Sequence, residues 1–252
     1  MLNHPTQDKL LTLGLPGMAM AFEEQRRLPA CDAMSFEERF GLLVDREMTE
    51  RSNRRLVQRL KLARLRQSAV AEEIDFRQAR GLDRSLVVTL LGCDWIRRHD
   101  NCLITGPTGV GKSYLACALA NQACRQGWKV LYVRSPRLFS ELAIARADGS
   151  FRRRLMTLAR IDLLVLDDWG LATLAVDQAR DLLEILDDRY DRKSTLVASQ
   201  APVDTWHPLI GDPTLADAAL DRLVHNAHRL TLTGDSMRKT RAGLTREDST
   251  TA

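Results

Sequence analysis

Several classes of protein are excluded by what this 252-residue chain lacks. No apolar run approaches the ~20 residues that a membrane-spanning helix needs. Residues 1–5 lack the charged and then apolar layout of a secretory signal. The five cysteines include no Cys-x-x-Cys pair, and their odd number fits neither a disulfide framework nor a zinc site. We therefore expect a cytoplasmic protein whose cysteines are reduced and buried.

The overall charge is small, but its distribution is informative. The formal net charge is +4, and 44% of the residues are hydrophobic, so the chain can build a sizeable core. Basic residues are concentrated in particular segments, as in proteins that bind polyanions. Nucleic acid is the first partner to consider.

A complete phosphate-binding loop is the most specific motif. It follows an apolar run typical of a strand and precedes a run typical of a helix, and it consists of Gly106, Pro107, Thr108, Gly109, Val110, Gly111, Lys112 and Ser113. Glycines let backbone N–H groups close around the β- and γ-phosphates, Lys112 adds a positive charge there, and the Ser113 hydroxyl can ligate Mg²⁺. The motif predicts binding of a nucleoside triphosphate.

Polar residues end two further apolar strands downstream of this loop. Asp167 and Asp168 follow residues 163–166, and we expect Asp167 to hold the Mg²⁺ shell. Side chains alternate along a strand, so Asp168 should point differently and act as general base for the attacking water. Gln200, or as second choice Ser199, is predicted to sense the γ-phosphate at the end of the strand that begins near Thr195; a plain strand end is the alternative.

The strands and helices alternate after an N-terminal helical region. We predict a small all-α domain over residues 1–70 and an ATPase domain over residues 71–252, the latter with a short polar tail from residue 239. In the first domain, residues 35–38 have the pattern of a capping box, and a basic helix is predicted over residues 50–67. Short apolar runs predict parallel strands at residues 102–105, 130–133, 163–166, 195–199 and 230–233, with a helix over residues 85–96 before them.

Two arginine-rich segments are candidates for DNA contact. The first holds seven basic residues with no acidic residue between them: Arg51, Arg54, Arg55, Arg59, Lys61, Arg64 and Arg66. On the predicted helix, Arg51, Arg55, Arg59 and Arg66 fall within about an 80° arc. The second segment contains Arg134, Arg137, Arg146, Arg152, Arg153, Arg154 and Arg160. Both predict salt-sensitive and weakly sequence-selective binding, although a solvated basic surface is the plain alternative.

Taken in order, these motifs resemble the IstB family of AAA+ ATPases, which assist insertion-sequence transposases and are similar to the DnaC helicase loader and the DnaA initiator. The resemblance spans nearly the whole chain. It depends on the phosphate-binding loop and on residues 74–76, 166–168, 199–200, 220–225 and 234–238.

The resemblance implies an α/β AAA+ fold with a five-stranded parallel sheet in the order 5-1-4-3-2. It implies ATP bound between subunits of a homo-oligomer, with Phe76 and Tyr114 among the nucleotide contacts and Arg222 reaching the nucleotide of the next protomer. Duplex DNA would be bound, deformed and delivered to a transposase, in the bacterial cytoplasm and at the nucleoid. Arg137 and Arg152 to Arg154 would lie near that DNA.

Two departures from the family pattern bear on activity. Many AAA+ members have Glu at the position of Asp168, and the shorter carboxylate predicts slow turnover. The residues after Thr233 are too few to build the usual helical lid, so Arg238 is assigned no role.

Other function classes fit parts of the same pattern. A helicase loader of the DnaC type would prefer single-stranded DNA and a hexameric helicase. A small-molecule kinase would transfer a phosphoryl group to an acceptor, and it would leave both arginine-rich segments unexplained.

Overall fold

The computed structural model describes residues 4–78 and 80–237. Contacts divide the chain into two compact units, Met1–Gln58 and Arg59–Ala252. The division falls after Gln58, whereas the sequence placed the boundary at residue 70. The predicted polar tail and Arg238 lie outside the described residues.

Within the described residues, the first unit contains two α-helices and most of a third. Helix α1 covers Pro5–Thr12 and α2 covers Pro16–Arg27. The predicted capping box opens the third helix, because Ser35 N–H donates to Glu38 Oε2 at 2.8 Å and Glu38 N–H donates to Ser35 Oγ at 3.3 Å. That helix, α3, runs without interruption over Phe36–Ala63.

The predicted bounds of the basic helix are therefore wrong. The helix begins at Phe36 rather than near residue 50, and it ends at Ala63 rather than near residue 67. Arg64 follows it with a φ of 52°, a left-handed conformation that stops a helix. Arg66 consequently does not share a helical face with Arg51, Arg55 and Arg59.

The second unit contains the predicted parallel sheet. Its strand order, β2-β3-β4-β1-β5, is the predicted order read from the opposite edge. The strands are β1 Asn101–Thr105, β2 Val130–Arg134, β3 Leu163–Trp169, β4 Ser194–Ser199 and β5 Ala227–Thr231. The residues of the first four strands are buried, except for Arg134 at the end of β2 and Asp168 near the end of β3. Such burial is expected for a sheet covered on both faces.

Helices alternate with these strands along the chain. They are α4 Arg84–Leu91, α5 Asp94–Arg97, α6 Lys112–Arg125, α7 Ser135–Ala147, α8 Phe151–Ala159, α9 Val176–Arg189, α10 Trp206–Ile210 and α11 Pro213–Val224. A core of leucine, isoleucine and valine side chains fills the space between sheet and helices, together with Trp169 and Trp206, whose rings pack 5.8 Å apart. None of the helices within the described residues is long and apolar enough to cross a membrane.

Two predicted elements differ in detail. The single helix predicted over residues 85–96 is two helices, because the chain turns at Gly92 and at Cys93, whose φ is 61°. Strand β5 lies about three residues earlier than predicted, and Leu232 already follows it. The apolar run that predicted this strand therefore continues beyond the carboxyl end of β5.

Candidate nucleotide-binding site

The phosphate-binding loop joins the carboxyl end of β1 to the first residue of α6. Gly106, Gly109 and Gly111 have φ values of 143°, 90° and 99°, so the loop needs glycine to turn in this way. Helix α6 begins at Lys112, which places its first backbone N–H groups and the Ser113 hydroxyl at the loop. A helix N-terminus of this kind favours anions through its unpaired N–H groups and its dipole.

Neighbouring segments enclose the loop closely. A Cβ added at Gly111 would come within 2.7 Å of Arg80 Nη1, and one added at Gly109 would overlap the Ser236 side chain. Met237 N–H donates to the Gly109 carbonyl at 3.0 Å. The loop is thus held by segments far away in sequence, including residues 236 and 237 of the 234–238 motif.

Lys112 is 8% exposed and folds back over the loop. Its Nζ donates to the carbonyls of Gly106 and Pro107, at 2.7 Å in both cases. These bonds hold the ammonium at the centre of the loop, where a phosphate would meet it.

The end of β3 places Asp167 and Asp168 at the same edge of the sheet. The pairing of β3 with β4 is irregular between Leu166 and Trp169, and Asp168 has a φ of 56°. Asp167 is 1% exposed, and it accepts a short hydrogen bond from the Tyr132 hydroxyl. Burial and this bond raise the pKa of Tyr132 well above its ordinary value, so the phenol stays protonated and donates.

Two arginines neutralise these carboxylates. Arg66 Nη1 lies 3.7 Å from Asp167 Oδ2 and 3.6 Å from Asp168 Oδ2. Arg134 Nε donates to Asp168 Oδ2 at 2.5 Å. The strict alternation assumed from sequence would separate the two aspartates, whereas the irregular strand end brings both within reach of one guanidinium. Arg66, a candidate for DNA contact, lies here.

The two candidates at the end of β4 differ in their surroundings. Ser199 is fully buried, and its hydroxyl donates to the Trp169 carbonyl and accepts from Ala201 N–H. Gln200 is exposed, and its Oε1 accepts a 2.6 Å hydrogen bond from Thr108 Oγ1 in the phosphate-binding loop. Gln200 therefore contacts the loop, whereas Ser199 braces β4 against β3.

Strand register supports the grouping of these residues. Thr105, which precedes the loop, pairs with Ser199, and Ser199 pairs with Trp169 just after the two aspartates. Strand β4 lies between β1 and β3, so the loop and Asp167 are separated by roughly 10 Å, about two strand spacings. That gap suits a triphosphate.

The oxygen donors at this gap fit Mg²⁺. The Ser113 hydroxyl and the Asp167 carboxylate are hard ligands of the kind that Mg²⁺ takes together with phosphate oxygens and water. The described residues contain no group of three or more His, Cys, Asp or Glu side chains that would hold a metal by protein ligands alone. A shared site of phosphate and protein oxygens is consistent with both observations.

Phe76 and Tyr114 lie beside other side chains of this unit. The Arg84 guanidinium stacks over the Phe76 ring, 5.5 Å from its centroid. The Tyr114 hydroxyl donates to Glu73 Oε2 at 3.1 Å. The segment that contains Phe76 is tied to the phosphate-binding loop through Arg80, which donates to the Asp75 and Val110 carbonyls.

Arg222 lies at the opposite end of the sheet. Its carbonyl accepts from Asn101 Nδ2 at 3.1 Å, and Asn101 is the first residue of β1, whereas the phosphate-binding loop follows the last. The rise along β1 separates these ends by roughly 13 Å. The Arg222 guanidinium contacts Asp187 on α9 and donates to the Ala218 carbonyl.

The arginines of α3 vary in their pairing. Arg51 and Arg54 contact Glu47, and Arg54 also contacts Glu50. Arg55 is exposed and has no ion pair within the described part of the chain. Arg59, assigned to the second unit, donates from Nε to the Cys124 carbonyl at 2.8 Å.

The arginines between β2 and β3 lie on α7 and α8. Arg137 and Arg154 both contact Glu141. Arg152 and Arg153 are exposed on α8. Both segments thus combine arginines paired with carboxylates and exposed arginines that have no ion pair among the described residues.

Sequence reasoning gave no role to Arg80 or Tyr132, and it assigned Arg66 and Arg134 only to basic segments. Arg80 is 5% exposed, and burial lowers the pKa of its guanidinium. Nothing in the local pattern marks it, since its partners are the backbone carbonyls of Asp75 and Val110 and the sulfur of Met237. Tyr132 had a weak signal, a hydroxyl within the apolar strand β2.

Comparison with known proteins places this geometry in context. Residues 8–244 match the family described as IstB-like ATP binding protein. The chain is 55% identical over 239 residues to the insertion sequence ATP-binding protein y4pL of Sinorhizobium fredii, covering 95% of this chain and 98% of that protein. It is 30% identical over 250 residues to the insertion sequence IS21 ATP-binding protein of Pseudomonas aeruginosa, covering 98% and 94%.

Solved structures share the fold at lower identity. The DnaI structure superposes with a TM-score of 0.56 at 21% identity, over 69% of this chain and 94% of DnaI. The AMPPCP-bound DnaA of Aquifex aeolicus gives a TM-score of 0.58 at 18% identity, over 75% of this chain and 57% of DnaA. These likenesses show the AAA+ P-loop fold.

Proposed function

The chain belongs to the IstB-like ATP binding protein family, and we propose that it is an ATP hydrolase that assembles on duplex DNA. In this proposal the assembly deforms the DNA and delivers it to the partner transposase of an insertion sequence. Relatives named as insertion sequence ATP-binding proteins, at 30–55% identity over nearly the whole chain, support this biological setting.

One observation carries the proposal: the residues to which we assign phosphate binding and hydrolysis are divided between opposite ends of the sheet. The phosphate-binding loop, Asp167 and Gln200 lie at the carboxyl ends of the strands, and Arg222 lies at the amino end of β1. Arg222 is too far from its own loop to contact the phosphates there. A site that needs such an arginine is completed by the next protomer, which couples ATP to assembly.

Each residue at the loop has a distinct task in this proposal. The loop N–H groups and Lys112 bind the phosphates, and Gln200 orients the γ-phosphate end or the water. Asp168 accepts a proton from the attacking water, and Arg222 of the neighbour stabilises the charge that develops on the phosphoryl oxygens. Mg²⁺, held by Ser113 and Asp167, would neutralise phosphate charge when bound.

Turnover is expected to be slow for two reasons. The Asp168 side chain is one methylene shorter than the glutamate of many AAA+ proteins. It is also paired with Arg66 and Arg134, so its carboxylate is engaged before any water reaches it. Slow hydrolysis fits an ATPase whose turnover sets the lifetime of the assembly on DNA better than one that moves along DNA.

DNA contact is proposed for the exposed arginines. Arg55, Arg152 and Arg153 are exposed, and each of the remaining candidates contacts one or two partners: Arg51, Arg54, Arg59, Arg137 and Arg154. Contacts of this kind reach phosphates rather than bases, so binding should depend strongly on salt and weakly on sequence.

The test is the mass of the protein in solution with a short duplex, with and without Mg-ATP. We expect a large DNA-bound oligomer from the natural sequence with Mg-ATP, and none from Arg222→Ala. Arg180→Ala is the matched control, since Arg180 is an exposed arginine on α9 whose one ion pair among the described residues is with Asp177. A monomer that ignores both ATP and duplex would overturn the proposal.

The resemblance of the sequence motifs to the DnaC helicase loader gives a second candidate, a loader that binds single-stranded DNA. A pulldown from the native host distinguishes the two. Recovery of a replicative helicase and no transposase, together with a preference for single-stranded DNA, would favour the loader.

A further inference from the structure

An arginine-lined cavity lies beside the paired aspartates. Its volume is about 200 Å³, and its lining includes Arg64, Arg66, Arg134, Arg137, Arg154 and Glu141. It lies against β2, which is an edge strand of the sheet. The cavity is thus separate from the phosphate-binding loop, which follows β1.

Positive charge at this cavity is incompletely balanced. Its five arginines face one carboxylate of the lining, Glu141, which contacts Arg137 and Arg154. Arg64 has no ion pair or side-chain hydrogen bond among the residues that the structure describes, and the buried Arg154 Nε has no hydrogen-bond partner there. An anion that enters would find unsatisfied guanidinium groups.

Phosphate is the anion whose geometry fits. Guanidinium groups present paired N–H donors that match two phosphate oxygens, and several arginines around one cavity favour a phosphate over a single carboxylate. The rim remains open to a large ligand, because the side chains of Arg66, Arg134 and Arg137 are 43%, 51% and 71% exposed.

A repeating polyanion fits the surroundings better than a lone phosphate. Exposed Arg152 and Arg153 precede Arg154 on α8, so basic side chains continue beyond the cavity. A DNA strand can place one phosphate in the cavity and its neighbours along these side chains.

The same arginines also hold the catalytic carboxylates. Arg66 contacts both Asp167 and Asp168, and Arg134 contacts Asp168. A guanidinium that turns toward a phosphate in the cavity weakens its pairing with these aspartates. The carboxylates then become available for Mg²⁺ and for water.

We propose that the cavity formed by Arg64, Arg66, Arg134, Arg137 and Arg154 binds a backbone phosphate of duplex DNA. By drawing Arg66 away from Asp167 and Asp168, this phosphate strengthens binding of Mg-ATP at the neighbouring site. The inference rests on the proposed function for its ligand. By linkage, ATP strengthens DNA binding through the same arginine to the same extent.

The experiment measures the affinity for Mg-AMPPCP, with and without a short duplex, on the full chain. For the natural sequence we expect duplex to raise this affinity by roughly 5- to 150-fold, the usual size of such couplings. For Arg66→Gln we expect higher affinity without DNA, because the carboxylates are released, and at most about a twofold further gain with DNA.

Two more variants separate the parts of the proposal. Arg154→Gln should keep the DNA-free affinity of the natural sequence and lose most of the gain from duplex, since Arg154 lines the cavity but does not contact either aspartate. Arg180→Gln removes an exposed charge on α9, outside the lining and outside both arginine-rich segments, and should behave like the natural sequence.

Each arm has an outcome that overturns the inference. If Arg66→Gln binds Mg-AMPPCP no more tightly without DNA, Arg66 does not compete for the carboxylates. If it responds to duplex like the natural sequence, the coupling does not pass through Arg66. If inorganic phosphate at the same phosphate concentration reproduces the gain, the ligand is free phosphate and not DNA.

Failure of the proposed function gives a different pattern. If fluorescence anisotropy shows no binding of duplex to the natural sequence, DNA is excluded as the ligand and the proposed function fails with it. The DNA-free gain in Arg66→Gln is then still a direct measure of the pairing between Arg66 and the aspartates.

Discussion

The two ends of the parallel sheet differ in how many of the residues assigned to nucleotide binding and hydrolysis they bring together. At the carboxyl ends, one chain brings together the phosphate-binding loop, two aspartates and Gln200. At the amino end of β1, Arg222 contacts Asp187 and lies far from the phosphate-binding loop of its own chain. From this contrast we propose that a single chain can bind nucleotide, whereas turnover requires a second one.

Lys112→Ala should give the largest effect on this comparison. Removing the ammonium costs its charge-assisted bonds to phosphate, so affinity for Mg-ATP should fall by about 100-fold or more. Isothermal titration calorimetry measures this loss of affinity. Lys129→Ala is the control, because Lys129 is exposed and lies outside the loop; equal losses in both variants would contradict a specific role.

Arg222→Ala should spare nucleotide binding and abolish turnover. We expect Mg-ATP affinity within about twofold of the natural sequence and hydrolysis lower by about 1,000-fold, the scale seen for arginines supplied in trans. Phosphate release under saturating ATP and duplex is the measurement. A parallel loss of affinity would place Arg222 in its own chain's site.

Mixing the two inactive variants provides the sharpest test. In a mixed oligomer, an Arg222→Ala chain contributes the loop and a Lys112→Ala chain contributes the arginine. Random pairing would restore about a quarter of the interfaces, because the contact is between unlike surfaces. No recovery of phosphate release, in mixtures that co-assemble, would mean that the two ends act within one chain.

Asp168→Asn should slow hydrolysis without preventing assembly. Loss of the general base predicts about 100-fold or greater loss of phosphate release. DNA should still be bound, and its release after ATP is removed should be slower. Fluorescence anisotropy follows the release of DNA. Rapid release from this variant would contradict the proposal that hydrolysis sets how long the assembly stays on DNA.

Asn101→Ala should give the smallest effect and should act on stability. The buried amide donates to the carbonyls of Arg222 and Leu223 and accepts from Thr195 N–H, so its loss leaves buried groups unsatisfied. We expect a decrease of about 2–3 kcal/mol in the free energy of unfolding, from urea titration. Gln126→Ala, which removes one exposed amide hydrogen bond, should cost less than about 1 kcal/mol.

Local patterns were sufficient for much of the fold. The phosphate-binding loop, the capping box at Ser35 and Glu38, and the apolar strands each depend on residues adjacent in sequence. The predicted ends of the basic helix and the predicted start of β5 were wrong. Their positions depend on backbone conformations, such as the left-handed Arg64, and on pairing with distant strands.

The sequence by itself determined that this chain has a nucleotide loop, an acidic strand end and arginine-rich segments, because each is a short run of specific residue types. Only the tertiary structure decided which of these meet. It joined Arg66 to aspartates a hundred residues away and placed Arg80 under the loop, and it set Arg222 at the far end of β1. Such pairings depend on strand order, register and irregular strand ends, which no local pattern encodes.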